Sequence, residues 1–368
     1  MLTNSFWKGR RVLITGHTGF KGSWITLWLL LMGADVWGAS LKPDCEKSLF
    51  SSLQLAQQKT ESFPGQLHHN IVDICDFQSL SDLIRCSQPE VVIHLAAQAL
   101  VRRSYEQPLI TWATNVQGSV NLLEALRPLT HRCSVVMVTT DKVYENQDWD
   151  YGYRESDRLG GRDPYSASKA AAELAIGSWR DSFCGISKHQ TSQLVIATAR
   201  AGNVIGGGDW ASDRLVPDAI RAIKDAQPIS VRSPWATRPW QHVVEPLGAY
   251  LLLSEMLHAD PSSYAEPFNF GPTSNSNRSV KELLEQVFSH WTGTWTDESD
   301  ADSPHEANRL HLQIDKAYHQ LGWYPRWNFE TSVERTVRWY RNVHEGMSPM
   351  SCCLADLKYY QECLNYDC

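Results

Sequence analysis

Residues 11–22 read RVLITGHTGFKG in one-letter code, and this stretch decides the fold. Its apolar start, Arg11–Thr15, is typical of a buried strand, and three glycines with the spacing GxxGxxG follow at once. The segment WITLWLLLM at 24–32 then predicts a helix that ends at Gly33. In a strand, glycine turn and helix of this order, backbone amides and the positive helix end can hold a pyrophosphate. The opening of the chain therefore predicts a dinucleotide site.

The alternation of strand and helix continues through the first 200 residues. Strands that alternate with helices predict an α/β fold with a Rossmann-type, doubly wound parallel sheet, covered by helices on both faces. Further strands are predicted at 35–40, 71–73, 91–95, 135–139 and 194–200, and two later helices at 246–257 and 279–291.

Two lobes and a tail are expected from the change in composition along the chain. Residues 1–200 are assigned to a dinucleotide-binding domain, to which a segment near 241–260 returns. After residue 201 the alternation weakens, and stretches rich in Gly, Pro, Arg and Trp predict loops that carry polar contacts. We therefore expect a smaller C-terminal substrate-binding lobe at 201–345 and a loosely attached helical tail at 346–368.

The composition excludes several classes of partner. The formal net charge is −7, and nucleic-acid or membrane-surface partners normally need a basic face. An apolar run of about 18 residues and a secretory signal pattern are both missing from the sequence, so we expect a cytoplasmic protein. Nine scattered cysteines without paired ligand spacing predict reduced thiols and no metal site.

The end of the second predicted strand bears on the choice of cofactor. An acidic residue there would accept the ribose hydroxyls of NAD and repel the extra phosphate of NADP. Ser40 occupies this position, so NADP is not excluded. Asp73, after the third predicted strand, is placed either to contact the adenine or to cap the following helix.

The segment YSASK at 165–169 predicts a redox centre. Tyr165 and Lys169 are four residues apart and share a helix face. A lysine charge stabilises a phenolate, so the tyrosine can remove a proton from a sugar hydroxyl. The sugar carbon that bears this hydroxyl gives its hydride to a nicotinamide in the same step. A chance match on a solvated helix face is the alternative, and the position after the fifth strand, behind Asp163 and Pro164, favours the redox centre.

The segment TTDKVY at 139–144 follows the fifth strand, where a doubly wound sheet presents residues to its ligand. Asp141 and Lys142 place two charged groups side by side at this strand end. The alternative is that Asp141 caps the next turn and Lys142 faces solvent. The crevice position favours a catalytic pair.

These stretches together resemble the extended short-chain dehydrogenase/reductase family over nearly the whole chain. Within it, the chain is similar to the nucleotide-sugar 4,6-dehydratases, and among them to those that act on CDP-glucose. Because cofactor binding alone does not require the longer loop stretches, they make the likeness specific. The matching stretches lie at 16–22, 140–142, 163–169, 200–210, 238–242 and 321–323.

The resemblance implies that CDP-glucose is oxidised at C4, loses water across C5 and C6, and receives the hydride back at C6, with NAD as cofactor. Tyr165 would take the C4 hydroxyl proton, Lys169 would lower the pKa of Tyr165 and hold the cofactor ribose, and Thr140 would bind the C4 oxygen. Asp141 would be the general acid. Lys142 stands where dTDP-glucose relatives have a glutamate base, so it is a hypothetical base that needs a pKa well below about 10.4.

The resemblance also implies the binding residues and a homodimer or homotetramer. Asn115 would support the site by hydrogen bonding, Arg200 could equally be a structural strand-end residue, and His305 an ordinary loop histidine. The substrate-binding candidates are Gln98, Arg200, Asn203, Arg214, Arg238 and His305. The cofactor-binding candidates, beside Tyr165 and Lys169, are Gly16, Thr18, Gly19, Phe20, Lys21, Gly22, Ser40, Asp73, Ile74, Ala96 and Ala97.

Two departures and several alternatives remain open. Ser40 replaces the usual acid and loosens NAD selectivity, and Glu245 stands where the family has aspartate. An inverting UDP-N-acetylglucosamine 4,6-dehydratase also uses Asp-Lys. A nucleotide-sugar 4-epimerase or 4-reductase needs no acid-base pair at C5 and C6, so Asp141 and Lys142 argue against both. A non-catalytic NAD(P) sensor typically lacks the tyrosine and lysine that this chain retains.

Overall fold

The computed structural model describes residues 4–57, 62–184, 193–299 and 309–365. The strands are β1 Arg11–Thr15, β2 Asp35–Ser40, β3 Gln66–Ile71, β4 Val91–His94, β5 Cys133–Val138, β6 Leu194–Ala201, β7 Val204–Ile205, β8 Ile229–Val231, β9 Thr237–Pro239, β10 Gln241–His242, β11 Pro267–Phe270, β12 Asn277–Ser279 and β13 Trp295–Asp297.

Helices cover both faces of the central sheet and continue through the C-terminal part of the chain. They are α1 Asn4–Trp7, α2 Phe20–Leu31, α3 Leu49–Ser52, α4 Phe77–Ser87, α5 Val101–Glu106, α6 Pro108–Trp112, α7 Gly118–Leu126, α8 Pro164–Phe183, α9 Leu215–Lys224, α10 Val244–Ala259, α11 Pro261–Tyr264, α12 Val280–His290, α13 Phe329–His344 and α14 Pro349–Asn365. Among the described helices, none is both long and apolar enough to cross a membrane.

Seven parallel strands form the central sheet in the order β11-β6-β5-β4-β1-β2-β3. Strand order reverses between β1 and β4, where Thr15 lies level with His94. In open sheets of this kind, ligands bind outside the carboxyl ends of the strands at such a reversal. The predicted α/β, Rossmann-type doubly wound sheet is confirmed.

Two apolar clusters pack on the two faces of the sheet. One cluster joins the sheet to α2, α10, α13 and α14, and the other joins it to α4, α7 and α8. Strands β4 and β5 are buried along their whole length, as expected for central parallel strands. Burial on both faces explains why these strands read as continuous apolar runs in the sequence.

The third strand differs from its prediction. It was expected at 71–73, whereas β3 runs over Gln66–Ile71, so the predicted position is wrong. Every residue of β3 is at least partly exposed, since β3 is an edge strand that pairs with β2 alone. An exposed edge strand needs no apolar run, and this one includes two histidines and an asparagine.

The C-terminal segment is helical, but the expected loose attachment is wrong. Cys353 and Tyr360 of α14 are fully buried. The Tyr360 hydroxyl donates a hydrogen bond of 3.1 Å to Glu245, whose carboxylate also accepts the backbone amides of Arg326 and Trp327 at 2.8 and 2.6 Å. Glu245 thus fastens α14 and the segment before α13 onto α10.

One edge strand of the central sheet, β11, also lies outside the range expected for the dinucleotide-binding domain. Residues Pro267–Phe270 form β11, which pairs with β6 at the edge of the central sheet. This segment falls within 201–345, the range assigned to the substrate lobe. The division of the chain into two lobes and a tail stays a prediction.

Candidate functional site

In the glycine turn between β1 and α2, backbone segments lie so close together that a side chain would not fit between them. Gly16 has φ +76°, and a Cβ there would lie 2.8 Å from the backbone nitrogen of Ala96. A Cβ on Gly22 would overlap the carbonyl oxygen of Gly16. Gly19 stands at the N-cap of α2 without a side-chain cap, so the first amides of Phe20 and Lys21 face the turn. This geometry fits a pyrophosphate at the helix N-terminus.

Ser40 lies where the sequence predicted it, at the carboxyl end of β2. Its hydroxyl is 2.6 Å from that of Thr18, which donates to the carbonyl of Leu41 at 2.9 Å. The two hydroxyls therefore brace the turn against the strand end. Because both are neutral, this position carries no charge that would repel a ribose phosphate.

Asp73 and Ile74 lie in the turn between β3 and α4. The Asp73 carboxylate accepts the amide of Cys75 at 2.9 Å, whereas Asp76 caps α4 through the amide of Ser79. The helix-cap alternative for Asp73 is therefore wrong. Ile74 is buried and packs against Gly118 of α7, where a Cβ would be 2.5 Å from its Cδ1.

The segment after β4 turns around a buried asparagine. The amide of Ala96 donates to the Thr15 hydroxyl at 3.2 Å, and Ala97 continues the segment to Gln98. The side-chain amide of Gln98 donates to Thr111 at 2.9 Å and to a loop carbonyl, so it stabilises the fold of the loop, and its contact with substrate stays a prediction. Asn115 accepts the Gln98 amide at 2.9 Å from a π-helical turn, a feature common at functional sites.

Tyr165 and Lys169 occupy the first turns of α8. Asp163 and Ser166 form a capping box there, with Pro164 as the first helical residue. Burial raises the pKa of Tyr165 to about 12, while a hydrogen bond with Thr140 and the charge of Arg214 act to lower it.

Lys169 lies beneath the tyrosine, against the end of β5. Its ammonium donates to the carbonyl of Val138 at 3.3 Å. Burial lowers the pKa of Lys169 to about 8, and the carboxylate of Glu173 acts to raise it. Glu173 follows Lys169 by one helical turn, so it helps to keep the lysine charged.

Asp141 lies in a 3₁₀ turn that follows β5. It is 1% exposed, and Thr140 donates to its Oδ1 at 3.0 Å. Its Oδ2 is buried and has no hydrogen-bond partner among the described residues, and a Cβ on Gly202 would lie 2.9 Å from that atom. Burial raises the pKa of Asp141, against the charges of Lys142 and Arg238. A buried carboxyl that holds its proton can act as a general acid.

Two lysines, Lys142 and Lys21, lie near this centre. Lys142 is half-buried beside Asp141. Lys21 extends from the glycine turn, and its ammonium donates to the Tyr250 hydroxyl at 3.4 Å. Burial and the neighbouring charges of Arg214 and Lys169 lower the pKa of Lys21 to about 7. From its place in the glycine turn, the sequence predicted that Lys21 binds the cofactor. It gave no signal that the side chain also lies near Lys169 and Asp141.

Arg200, near the end of β6, lies in a buried hydrogen-bond network. Its guanidinium is buried against Glu173 at 2.8 Å, and it also donates to the Tyr144 hydroxyl at 2.8 Å. Glu173 accepts the hydroxyls of Thr139 and Thr198 as well. The structure places Arg200 in this buried network, which favours the alternative of a structural strand-end residue, and its role as a substrate ligand stays a prediction. Glu173 was missed because a glutamate inside a helix pattern carries no special signal.

The other substrate candidates differ in their surroundings. Arg214 is one-third exposed at the start of α9 and pairs with Asp209 at 2.8 Å. Arg238, on β9, is buried within charge range of Asp141. Asn203 is half-buried after β6, and its carbonyl accepts the amide of Gln241 at 3.2 Å. His305 lies outside the described residues.

The chain is similar in sequence to known nucleotide-sugar dehydratases. A sequence profile of the family described as GDP-mannose 4,6 dehydratase matches residues 13–336. A CDP-glucose 4,6-dehydratase of Salmonella typhimurium is 41% identical over 362 residues, which are 98% of each chain. A dTDP-glucose 4,6-dehydratase of Haemophilus influenzae is 25% identical, over 89% of this chain and 97% of its own.

Two solved structures share the fold. The dTDP-glucose 4,6-dehydratase of Bacillus anthracis, in complex with NAD, has a TM-score of 0.74 at 20% identity, covering 92% of this chain and 98% of its own. The UDP-glucose 4-epimerase of Thermus thermophilus, in complex with NAD, has a TM-score of 0.73 at 25% identity, covering 90% of this chain and 99% of its own. These likenesses confirm the resemblance that the sequence motifs predicted.

Proposed function

The chain belongs to the GDP-mannose 4,6-dehydratase family, and from this premise we propose that it is an NAD-dependent CDP-glucose 4,6-dehydratase. The product is CDP-4-dehydro-6-deoxyglucose, and water is released. The relative at 41% identity supports the choice of CDP-glucose among nucleotide sugars. The observation that carries the elimination step is the buried Asp141, whose Oδ2 is without a partner beside Tyr165 and Thr140.

NAD supplies the hydride chemistry, since it accepts a hydride from C4 of the sugar and later gives it to C6. The glycine turn, with Thr18 and Ser40 beside it, would hold the dinucleotide, and Lys169 would hold its ribose. Glycines that permit close approach and an uncapped helix N-terminus support this assignment. Ser40 leaves room for NADP as a weaker alternative.

The residues of the chain then move three protons. Tyr165, hydrogen-bonded to Thr140, takes the proton of the C4 hydroxyl as the hydride leaves. Once C4 is a ketone, the C5 proton is acidic, and a base removes it. Asp141 gives its proton to the departing C6 hydroxyl, so that water leaves and a C5–C6 double bond forms. The hydride would then return to C6 and the base would give its proton back to C5. The proton that Tyr165 took would replace the one that Asp141 lost, so the net change is the loss of one water.

Lys142 is the proposed base for the C5 proton. Its position beside Asp141 supports this role, because both side chains follow the same strand end. A Lys142→Ala variant should lose exchange of the C5 proton with solvent deuterium. Exchange at the wild-type rate in that variant would assign the base elsewhere.

The first test incubates the purified chain and NAD with CDP-glucose, dTDP-glucose and UDP-N-acetylglucosamine separately. Mass spectrometry should show loss of one water from CDP-glucose alone. Dehydration of another sugar nucleotide would overturn the substrate, and no water loss from any would overturn the dehydratase.

The matched variant for this test is Asp141→Asn, which keeps the side-chain volume and removes the acidic proton. We expect the water-loss rate to fall by about 10²- to 10⁴-fold, the usual contribution of a positioned acid. Tyr165, Thr140 and Lys169 are all retained, so 4-keto sugar that still contains the C6 hydroxyl should be detected after trapping. Unchanged water loss in this variant would remove Asp141 from the acid role.

We also propose that the chain is a homodimer joined through α6 and α8, or a homotetramer of such dimers. Leu109 and Ile110 of α6 are 84% and 53% exposed, and Leu174 of α8 is 65% exposed, although α6 and α8 pack together. Exposed apolar residues concentrated on adjacent helices are typical of an interface. Light scattering should give a dimer or larger for the wild type and a monomer for Leu109→Glu/Leu174→Glu.

A cytoplasmic location is proposed with it. The described cysteines form no disulfide bonds with one another, which suits a reducing compartment.

A further inference from the structure

A buried run of hydrogen bonds passes through His94, the last residue of β4. His94 is 2% exposed. Its Nδ1 lies 2.7 Å from the Thr15 hydroxyl, and its Nε2 lies 3.1 Å from the Ser119 hydroxyl. Thr15 is the last residue of β1 and directly precedes Gly16 of the glycine turn. His94 therefore connects the dinucleotide turn with helix α7.

The partners determine which atom donates in each bond. The Thr15 oxygen already accepts two amides, from Leu95 and Ala96 at 3.2 Å each. Both of its lone pairs are used, so its hydrogen must go to Nδ1 of His94. Nε2 of His94 then carries the ring proton and donates to Ser119. The imidazole is thus held in a single tautomer.

The run continues from Ser119 to the catalytic helix. The Ser119 hydroxyl donates to the carbonyl of Asn115 at 2.8 Å. The side-chain amide of Asn115 donates to Ser168 at 2.9 Å, and the Ser168 hydroxyl donates to the carbonyl of Tyr165 at 2.8 Å. Each of these bonds is buried. A directed sequence of donors therefore links Thr15 to the backbone of the proposed redox tyrosine.

His94 must stay neutral for this arrangement to exist. A second ring proton would point Nδ1–H at the Thr15 oxygen, which has no lone pair left to accept it. Burial and the charge of Lys169 lower the pKa of His94 to about 3, in agreement with the geometry. His94 consequently serves neither as a base nor as a cation toward the cofactor.

We propose that His94 is a positioning residue that holds the dinucleotide turn in register with Tyr165 and Lys169. The inference rests on the proposed function, because the register matters for hydride and proton transfer at one sugar carbon. None of the linking residues lies in the substrate lobe. Loss of His94 therefore changes turnover and cofactor affinity, and leaves the affinity for the sugar nucleotide unchanged.

The test compares His94→Phe, which keeps the ring and removes both bonds, with His258→Phe as a matched control. His258 contacts Ser134 and Arg10 near the opposite, amino end of the sheet. We expect His94→Phe to lower kcat by about 100-fold, the cost of a shift near 1 Å in reacting groups. NAD affinity, measured by titration, should weaken about tenfold while KM for the sugar nucleotide stays within twofold. The control variant should match the wild type in all three.

Hydrogen–deuterium exchange provides a readout that needs neither activity nor cofactor. In His94→Phe, peptides that cover residues 12–22 and 163–170 should exchange faster, and peptides from the substrate lobe should not. Equal protection of both peptides in His94→Phe and wild type would overturn the coupling, even if the proposed reaction were absent.

A second variant separates coupling from general destabilisation. Ser168→Ala breaks the same run at its far end. If the residues act as one unit, the double variant His94→Phe/Ser168→Ala loses little more kcat than His94→Phe alone. Multiplicative losses, or a kcat loss accompanied by an equal rise in KM, would reduce His94 to an ordinary core residue.

Discussion

The fully buried carboxyl of Glu245 makes the stability of the chain depend on pH. Burial raises the pKa of Glu245 from 4.5 to about 7, although two backbone amides and the Tyr360 hydroxyl act to lower it. A carboxyl with a raised folded pKa binds its proton more tightly in the folded chain. Its stabilising effect is therefore complete below about pH 4.5 and is lost as the pH rises to about 7. From these two values, the loss between pH 5 and pH 8 is about 2–3 kcal/mol.

A Glu245→Gln variant tests this figure. Its amide oxygen can still accept the amides of Arg326 and Trp327, and its NH₂ can donate to Tyr360, so the attachment of α14 is kept. The free energy of unfolding is measured with urea by tryptophan fluorescence at pH 5, 6, 7 and 8. Its decrease from pH 5 to pH 8 should be about 2–3 kcal/mol smaller in the variant than in wild type. The pKa of Asp356 is also raised to about 7. Because Asp356 titrates in both proteins, its contribution to the pH dependence cancels in the difference between them. Parallel pH curves for the two proteins would refute the reasoning.

Two further predictions concern the site. Gly22→Ala should weaken NAD binding at least tenfold in a titration, because the added methyl group displaces the turn; Gly177→Ala, with its nearest neighbour atom at 3.7 Å, is the matched control and should bind as wild type. Glu173→Gln removes the carboxylate that raises the pKa of Lys169, so the alkaline limb of the kcat/KM profile should move to lower pH. An unmoved limb in a folded Glu173→Gln protein would contradict the assigned coupling. This variant also removes the ion-pair partner of the buried Arg200. Its free energy of unfolding, measured with urea, should be about 3–5 kcal/mol lower than that of wild type.

The local signals in the sequence were sufficient for the fold. Buried parallel strands need continuous apolar runs, and Gly16 and Gly22 are required where a turn meets a helix closely, so the class of fold and the glycine turn could be recognised one segment at a time. The edge strand β3 escaped this reasoning because its residues are neither buried nor alternating. The close packing of α14 escaped it as well, since its partner Glu245 lies more than 100 residues earlier in the chain.

For the candidate site, the sequence determined the residue types that the strand ends and α8 present: Tyr165 and Lys169 on one helix face, and Thr140 to Lys142 after β5. Only the tertiary structure decided what surrounds each of them. It buries Arg200 against Glu173, brings Lys21 from the first turn to the catalytic centre, and leaves one oxygen of Asp141 without a partner. Protonation and orientation depend on burial and on charges from distant segments, and these quantities exist only once the chain has folded.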